Sequence, residues 1–493
     1  MNYYVGIDIG TTNIKGQLFD ESGNIIAEIS YISPKYEVYG IQFMDAREIK
    51  DIIFSILKHF AKTNKGVINA INFSSFGEAF VLLDKENNIL TDFILFVSDL
   101  GDEEADYVIK NLNAEEIAKT AGVYPNRMYS FSKLMRLKKN KPEILKNSKH
   151  ILLVGGYAAF LLTGKYYSDY SLASRTMLLD INNLRWNTNL INKLGFDINI
   201  FPSLCNLHDV VGEMDLLVKE ELEISSPCLV FAGGHDQTLA SVGNFVEQCG
   251  DTNDSTGTAE CISIMHNHKS FNIDFYKNNF NIVPYIFKET YLTYSFIPMS
   301  GDLLSLLKRK ISFDEGENGS FFDNMNSKFD SQPTSIYCLP YFSGTGTPEL
   351  DWKKKGILIG LTSKTENSEL YFSFMEGATF EIKFNIDLLS KFNIESKRIM
   401  VSGGGRKSIP WLKIKSSIFN QDLIVQNSSE SGIFGCFLAM KHSVENVDYK
   451  DLFNMYKDKQ IVFYKDINLA NKYFSKYAKY LKIREITDDI CKL

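Results

Sequence analysis

The chain has 493 residues, of which 44% are hydrophobic and 23% charged, which is typical of a globular protein with two or more domains. Its 60 acidic residues outnumber its 53 basic ones, which argues against nucleic acid as the main partner because such binding needs a concentrated basic face. The seven cysteines are scattered without a C-x-x-C pair, so we expect neither a zinc ribbon nor a disulfide framework.

The first 20 residues predict a β-hairpin. An apolar strand ends at Ile9, the turn is Gly10-Thr11-Thr12-Asn13, and a second strand begins at Ile14. A turn rich in glycine and threonine presents N–H groups and hydroxyls in one direction, as a bound phosphate requires. An ordinary hairpin turn would have the same sequence, so both interpretations stay open here.

Neither secretion nor a membrane span is expected. The N-terminus lacks the basic flank and apolar run of a signal peptide. The longest apolar stretch, residues 151–162, is much shorter than the roughly 20 residues that a membrane span needs. We therefore expect a cytoplasmic protein with reduced thiols and no membrane partner.

The rest of the first half predicts an α/β protein. Strand-like runs lie at 70–74 and 80–83, among segments with the apolar period of a helix. Those helical segments are 46–62, 115–121, 132–139 and 155–162. Alternation of strands and helices places the chain in the α/β class.

Asp236 is the candidate for acid–base chemistry. It follows a buried strand-like run at 227–231 and precedes a helical stretch at 238–245, where α/β folds place reactive groups. Phosphoryl transfer to an alcohol needs one base to accept the hydroxyl proton, and Asp236 could supply it. It could equally cap the helix that follows. For His235 we expect a local packing or hydrogen-bonding role.

The turn Thr256-Gly257-Thr258 resembles the first turn at Gly10, from which it is separated by about half of the chain. An apolar strand follows each turn, as a duplicated domain would produce. Two turns this short also match by coincidence, so both explanations stay open here. Nearby, the pair His266 and His268 has no third candidate ligand, so a metal site there is not expected.

The last third contains a further glycine-rich loop, in addition to the turns at Gly10 and Gly257. Residues 312–335 predict a loop or insertion, 369–383 a buried helix, and 398–402 a strand that opens onto Gly403-Gly404-Gly405. A strand, three glycines and a helix let a nucleotide lie against bare backbone, although a tight packing turn fits the pattern as well. No Walker loop or dinucleotide fingerprint is present in the sequence.

Taken together, these motifs resemble the FGGY carbohydrate kinases, relatives of xylulokinase, ribulokinase and glycerol kinase in the actin-like ATPase superfamily. The resemblance covers roughly residues 3–440. It rests on VGIDIGTTNIK at 5–15, AGGHDQ at 232–237, DSTGTA at 254–259, LPYFSGTGTP at 339–348, LYFSFMEGATFE at 370–381 and VSGGGRKSIPWL at 401–412. Residues 128–139 match the family's first signature around Lys133, and 169–175 match a segment beside the sugar pocket.

The resemblance implies a role for each matching residue. Asp236 would deprotonate the sugar hydroxyl, Glu78 would bind hydroxyls of the substrate, and Gln237 and Asp99 are weaker substrate-side candidates. Asp8 would help to hold Mg²⁺ through water. The phosphate loops and the nucleoside site would be formed by Thr11, Thr12, Lys15, Thr256, Gly257, Thr258, Gly301, Gly403, Gly404 and Ser408.

Several positions depart from the family pattern. Arg136 replaces a usual tryptophan, Gly101 replaces an arginine, and the Gly-Glu-Arg turn reads Gly344-Thr345-Gly346. The entry motif before Asp45 reads GIQFM. None of these touches the phosphate loops or Asp236, so they bear on which sugar is used rather than on the type of reaction.

The resemblance therefore implies an α/β protein with two actin-like (ribonuclease H-like) domains, residues 1–248 and 249–493, around a central cleft. The expected activity is transfer of phosphate from ATP, with Mg²⁺, to a primary hydroxyl of a small sugar, ketose or polyol. Two other hypotheses are a non-catalytic actin-like ATP-binding regulatory protein and a purely structural α/β protein. Whether the chain forms a homodimer is left open.

Overall fold

Two seven-stranded sheets organise the computed structural model, which describes residues 2–63, 66–98, 100–224, 227–311, 318–426, 430–457 and 460–490. The strands are β1 Asn2–Ile9, β2 Asn13–Phe19, β3 Ile25–Ile32, β4 Lys35–Val38, β5 Ile41–Met44, β6 Val67–Ser75, β7 Phe80–Leu83, β8 Phe93–Ile94, β9 His150–Leu153, β10 Tyr167–Asp169, β11 Leu179–Asp180, β12 Arg185–Trp186, β13 Ser203–Cys205, β14 Val210–Glu213, β15 Leu229–Phe231, β16 Gly234–His235, β17 Asp251–Thr256, β18 Glu260–His266, β19 Val283–Pro284, β20 Tyr291–Ile297, β21 Tyr337–Leu339, β22 Ile357–Ile359, β23 Arg398–Gly403, β24 Leu423–Val425 and β25 Ile461–Phe463.

The helices connect and cover these strands. They are α1 Ala46–Thr63, α2 Asp102–Asn111, α3 Ala114–Ala121, α4 Ser130–Asn140, α5 Pro142–Asn147, α6 Val154–Thr163, α7 Tyr170–Ser174, α8 Thr188–Lys193, α9 Leu216–Leu222, α10 Asp236–Gly243, α11 Ile273–Lys277, α12 Gly301–Ile311, α13 Asn318–Ser327, α14 Asn367–Ser390, α15 Ile409–Phe419, α16 Ser431–Glu445, α17 Tyr449–Tyr456 and α18 Ile467–Ile486.

The first sheet has the order β14-β15-β6-β1-β2-β3, and β16 extends it beside β6. β1, β2 and β3 form the predicted antiparallel meander, while β6 and β15 run parallel to β1. The β1 register sets Asp8 opposite Ser74 on β6 and opposite Lys15 on β2. The central strand is thus held between an antiparallel and a parallel neighbour, with its polar end next to the Gly10 turn.

The second sheet repeats this plan with the order β19-β20-β18-β17-β23-β24-β25. β17, β18 and β20 form an antiparallel meander, and β23 and β24 run parallel to β17. β17 therefore corresponds to β1, and the turn at Gly257 corresponds to the turn at Gly10. The repeated plan confirms the predicted α/β class with two like halves.

Helix α16 packs against the first sheet and α17 packs against α16, although the chain reaches both helices only after completing most of the second sheet. Tyr4, Phe19 and Phe231 of the first sheet share one core cluster with apolar residues of α10, α16 and α17. The approach of α16 to β1 is close, because a Cβ at Gly6 would lie 2.6 Å from the Cγ2 of Ile433. The predicted domain boundary at residue 248 stays a prediction.

Two sequence expectations of lesser weight can be compared with the fold. The sequence predicts a loop or insertion over residues 312–335, and the structure has the helix α13 at Asn318–Ser327 within this stretch; residues 312–317 lie outside the described part. Within the described ranges, no helix combines the length and the apolar character that crossing a bilayer requires.

Candidate active site

A cavity of about 220 Å³ lies between the two sheets and is called the cleft cavity below. The first half contributes Glu78, Arg175 and Asp236. Glu78 follows β6, Arg175 follows α7, and Asp236 follows β16. The second half contributes Tyr294 of β20 and Cys261 of β18. Polar and aromatic side chains thus converge on a space at the small end of ligand pockets.

Glu78 and Arg175 form a buried ion pair in the wall of this cavity. Nε of Arg175 donates to Oε1 of Glu78 at 2.6 Å, and both side chains are about 95% buried. The guanidinium also lies over the rings of Tyr129 and Tyr294, 5.1 and 5.5 Å from their centroids. Nη1 of Arg175 has no hydrogen-bond partner among the described residues. The pair fixes the orientation of the Glu78 carboxylate.

The backbone at Glu78 is held in an unusual conformation. Its φ is 62°, in the left-handed region that side chains other than glycine rarely adopt. Nζ of Lys133 donates to the carbonyl oxygens of Glu78, at 3.2 Å, and Met128, at 2.5 Å. Burial lowers the pKa of Lys133 to about 7. Lys133 therefore stabilises the backbone conformation of Glu78 through the hydrogen bond to its carbonyl oxygen.

Asp236 lies at the end of the first sheet, where β16 passes into α10. Its Oδ1 accepts from the backbone N–H of Gln237 at 2.6 Å, and that N–H also points to Nδ1 of His235 at 3.2 Å. His235, rather than Asp236, is the N-cap of α10. Burial in the cleft, reinforced by the charges of Asp8 and Glu78, raises the pKa of Asp236 to about 8, although 38% of its side chain is exposed to the cleft.

His235 is a neutral packing residue, in line with its expected role. Burial and the nearby charge of Arg175 lower its pKa well below the ordinary range. Because Nδ1 accepts a hydrogen bond, the proton is assigned to Nε2. The ring stacks on Tyr294 at a centroid distance of 5.2 Å, and a Cβ at Gly77 would lie 2.7 Å from it.

A second cavity of about 130 Å³ adjoins the first, and we call it the carboxylate cavity. Asp8, Asp236 and Glu430 line it, and Asp236 and Gln237 line both cavities. Oδ1 of Asp8 accepts from Oγ of Ser74 at 2.6 Å. Burial, opposed by this hydrogen bond and reinforced by Glu430, raises the pKa of Asp8 to about 6.

The donor set of the carboxylate cavity fits a hard divalent cation such as Mg²⁺. Oxygen donors are the ligands that Mg²⁺ prefers, and three acidic groups around one buried space are unfavourable without a cation. Lys15 neutralises only one of them, since its Nζ donates to Oε1 of Glu430 at 2.7 Å. In the described ranges no three His, Cys, Asp or Glu residues are grouped closely enough to hold an ion directly. An ion here would bind through water and phosphate oxygens, as expected for Asp8.

A third cavity, of about 540 Å³, is lined by the two glycine-rich loops of the second half, and we call it the glycine-loop cavity. N–H of Gly301, at the start of α12, donates to the carbonyl oxygen of Gly257 at 2.9 Å. A Cβ at Gly405 would lie 2.6 Å from Cγ2 of Thr256, whereas one at Gly404 would come no closer than 4.0 Å to the carbonyl oxygen of Thr256. The predicted nucleotide residues on its wall are Thr256, Gly257, Thr258, Gly301, Gly404 and Ser408.

The remaining predicted residues fall in different places. Gly403 lines the carboxylate cavity and Thr11 the cleft cavity. Thr12 is exposed in the adjacent turn, and Lys15 reaches the carboxylate cavity through Glu430. Asp99 lies outside the described residues. Apart from Thr12, Lys15 and Asp99, every predicted residue lines one of the three cavities, while the roles of these residues stay predictions.

The departures from the family pattern have local structural explanations. Arg136 pairs with Glu103 at 2.9 Å and with Glu104 at 3.5 Å, away from the cleft cavity. Gly101 has a φ of 106°, and a Cβ there would lie 2.6 Å from Oγ of Ser132. A Cβ at Gly346 would overlap the carbonyl oxygen of Phe296. Each therefore fits its surroundings without entering the cleft.

Three residues of the site were not singled out as site residues from the sequence. In the sequence, Arg175 is only the last residue of a segment that matches the family, and no motif marks Tyr294 or Glu430. Their partners, Glu78 for Arg175 and Lys15 for Glu430, are distant in the chain. The acidic residue directly before an apolar helix, as at Glu430, was the one local signal available.

Comparison with known proteins places these features in context. Residues 3–243 match the model of the N-terminal domain of the FGGY family of carbohydrate kinases, and residues 253–442 match that of its C-terminal domain. A xylulose kinase of Staphylococcus xylosus is 25% identical over 93% of this chain and 99% of that protein. A glycerol kinase of Thermococcus gammatolerans is 26% identical over 86% and 85%. The crystal structure of ligand-bound xylulose kinase from Lactobacillus acidophilus has the same fold, with a TM-score of 0.89, 21% identity and 99% coverage of both chains.

Proposed function

This chain belongs to the FGGY family of carbohydrate kinases, and from that premise we propose that it transfers the γ-phosphoryl group of ATP to a primary hydroxyl of a small polyol or ketose, with Asp236 as the general base. One observation carries the proposal. Asp236 lies at the junction of the cleft cavity and the carboxylate cavity, so a single carboxylate borders both the space proposed for the acceptor and the space proposed for the phosphates. In such transfers the base must reach the hydroxyl that attacks phosphorus.

The acceptor would occupy the cleft cavity. Its wall presents an acceptor at Glu78, donors at Arg175, and side-chain amides at Asn279, Asn281 and Gln237. Oε1 of Gln237 is buried and has no hydrogen-bond partner among the described residues. A wall that contains both donors and acceptors suits a polyhydroxylated molecule. The volume of about 220 Å³ favours a short carbon chain.

The phosphates would occupy the carboxylate cavity. α10 and α16 both begin at this cavity, and the N–H groups and dipoles of helix N-termini favour an anion. Asp8, through water, is the residue that would hold Mg²⁺, with Asp236 and Glu430 nearby. When bound, Mg²⁺ neutralises phosphate charge during the transfer. The nucleoside would lie in the glycine-loop cavity against Gly404 and Ser408.

The chain's own part in the reaction is proton transfer and orientation. Glu78, locked by Arg175, would fix the acceptor so that one hydroxyl faces Asp236. The carboxylate of Asp236 accepts the proton of that hydroxyl while the hydroxyl oxygen of the acceptor attacks the γ-phosphorus and ADP leaves. A terminal hydroxyl suits this position, because a secondary one would require both neighbouring carbons to enter the junction. Enclosure between the two sheets would exclude water and suppress hydrolysis of ATP.

An ADP-release assay over polyols and ketoses of three to six carbons tests the proposal. Asp236→Asn should reduce acceptor-dependent turnover by about 10²–10⁴-fold, the usual contribution of a general base. Asp448→Asn is the matched control, since Asp448 caps α17 through its side chain and Asn is an equivalent cap. Turnover of Asp236→Asn within threefold of wild type would show that another group is the base. ATP binding without transfer to any acceptor would favour the regulatory hypothesis.

A further inference from the structure

A fully buried group of charges lies beneath the glycine-loop cavity. Lys415 of α15 is 2% exposed, and Asp254 of β17 and Glu260 of β18 are completely buried. Nζ of Lys415 donates to Oδ2 of Asp254 at 2.5 Å, to Oγ1 of Thr256 at 2.6 Å and to Oε1 of Glu260 at 2.8 Å. All three ammonium protons are therefore directed to fixed acceptors. We call these three charged residues the Lys415 cluster.

The cluster contacts the turn at Gly257 and the residue before α12, two of the segments that wall the glycine-loop cavity. Thr256, which Lys415 binds directly, begins the turn at Gly257. Oγ of Ser300 donates to Oε2 of Glu260 at 2.6 Å, and N–H of Ser300 donates to the carbonyl oxygen of Thr258 at 2.9 Å. Ser300 directly precedes α12, and Lys415 lies on the helix that follows the triple glycine. The ammonium group of Lys415, in the middle of α15, thus joins the end of β17 to the start of β18, and Glu260 extends this link to Ser300 before α12.

Burying the charges of the Lys415 cluster is unfavourable, so packing alone does not explain their presence. Two carboxylates and one ammonium leave excess negative charge in the interior, where apolar side chains of the same volume would pack as well or better. Burial raises the pKa of Glu260 to about 7, with Lys415 opposing and Asp254 reinforcing the rise. Burial also disfavours the charge on Lys415, but the two carboxylates outweigh this and raise the pKa of Lys415. What the charges add over apolar residues is a fixed geometry around Thr256.

We propose that Lys415 is a positioning residue for nucleotide binding, holding the turn Thr256–Thr258 and the start of α12 at the separation that the phosphates and nucleoside require. This inference rests on the proposed function, because it assumes that the glycine-loop cavity takes the nucleotide. Lys415 itself lines none of the three cavities, so it acts through Thr256 and, by way of Glu260, through Ser300. The acceptor site, on the other side of Asp236, should not depend on it.

Calorimetric titration with Mg-ADP is the direct test. The single change Lys415→Met leaves two buried carboxylates unpaired and is expected to impair folding, so the main variant is Lys415→Met combined with Asp254→Asn and Glu260→Gln. It removes every charge of the cluster at nearly constant volume. We expect a folded protein whose Kd for Mg-ADP and KM for ATP rise at least tenfold, while KM for the acceptor stays within threefold.

A milder variant keeps the proposal testable if the triple variant does not fold. Ser300→Ala leaves the three charges in place and removes only the link from Glu260 to the start of α12. It should raise the Kd for Mg-ADP about threefold or more, again without changing KM for the acceptor. Nucleotide affinity within a factor of 1.5 of wild type in Ser300→Ala, or within twofold in a folded triple variant, would overturn the assignment.

A control separates positioning from the general effect of losing a buried ion pair. Lys476 of α18 and Glu376 of α14 are 6% and 1% exposed and are joined at 2.5 Å in the same half of the protein. Lys476→Met with Glu376→Gln should lower the melting temperature yet leave the Kd for Mg-ADP within twofold. If wild type itself binds no Mg-ADP, the proposed function fails; if wild type binds and the variants bind equally, only the inference about Lys415 fails.

Discussion

Arg175 Nε and Glu78 Oε1 are 2.6 Å apart, in a wall of the cleft that water scarcely reaches. In such a setting a charge-assisted hydrogen bond is strong, and removing one partner leaves the other buried and uncompensated. The pair also joins two turns that are far apart in the chain, one after β6 and one after α7. Orientation of the substrate-side carboxylate is therefore a property of the tertiary fold.

Arg175→Met should damage acceptor binding and spare nucleotide binding. Without the guanidinium, Glu78 loses the hydrogen bond that fixes its carboxylate, so we expect kcat/KM for the acceptor to fall about 10²-fold or more. The Kd for Mg-ADP should stay within twofold. Steady-state kinetics and calorimetry measure the two effects. Arg136→Met, which breaks ion pairs outside the cleft cavity, is the control and should leave both parameters near wild type.

The pH profile should report the environment of Asp236. A general base must be ionised, and burial with Asp8 and Glu78 raises the pKa of Asp236 to about 8. We therefore expect kcat/KM for the acceptor to rise about tenfold per pH unit at low pH and to level off near pH 8. Since Arg175 favours the ionised carboxylate, Arg175→Met should move the rise to higher pH. A rise centred near pH 4 would contradict the assignment.

The raised pKa of Asp236 also predicts a pH-dependent effect on the free energy of unfolding. A carboxyl whose pKa is raised by folding binds more protons in the folded state, so its contribution to the free energy of unfolding is lost as pH rises from 3.8 towards about 8. Asp236→Asn removes this loss. The variant should match wild type near pH 4 and be increasingly more stable up to about pH 8, by thermal or urea unfolding. Asp448→Asn, at the exposed start of α17, controls for loss of a carboxylate; an equal gain there would refute the interpretation.

Substitutions at two neighbouring glycines should distinguish a position that contacts the nucleotide from one that contacts the rest of the protein. A methyl group at Gly404 would meet only the carbonyl oxygen of Thr256, at 4.0 Å, whereas one at Gly405 would press on the Thr256 side chain. Gly404→Ala should therefore keep the melting temperature and weaken Mg-ADP binding at least fivefold. Gly405→Ala should lower the melting temperature by several degrees. Unchanged affinity in Gly404→Ala would place the nucleoside elsewhere.

The sequence allowed more of the fold to be predicted than of the site. The two Gly-Thr turns predicted two like halves, because a turn joining antiparallel strands depends on local residues and the repeat preserved those residues. Asp236 and Glu78 were found because each sits in a short motif. Arg175, Glu430 and Lys415 belong to the same region through partners that lie in other elements, and no local spacing encodes such contacts. The polar, Asn-rich sequence of α13 favours a loop. Its helix depends on the packing of Phe321 and Phe322 against the hydrophobic core of the second half.

The return of α16 and α17 to the first sheet has a consequence for synthesis on the ribosome. When residues 1–243 have emerged, the face that carries Tyr4, Phe19 and Phe231 still lacks its cover, which is made nearly two hundred residues later. The N-terminal family domain expressed alone should therefore expose an apolar face and aggregate. The fragment to express is residues 1–243 joined by a linker to residues 431–456, which supplies the missing helices.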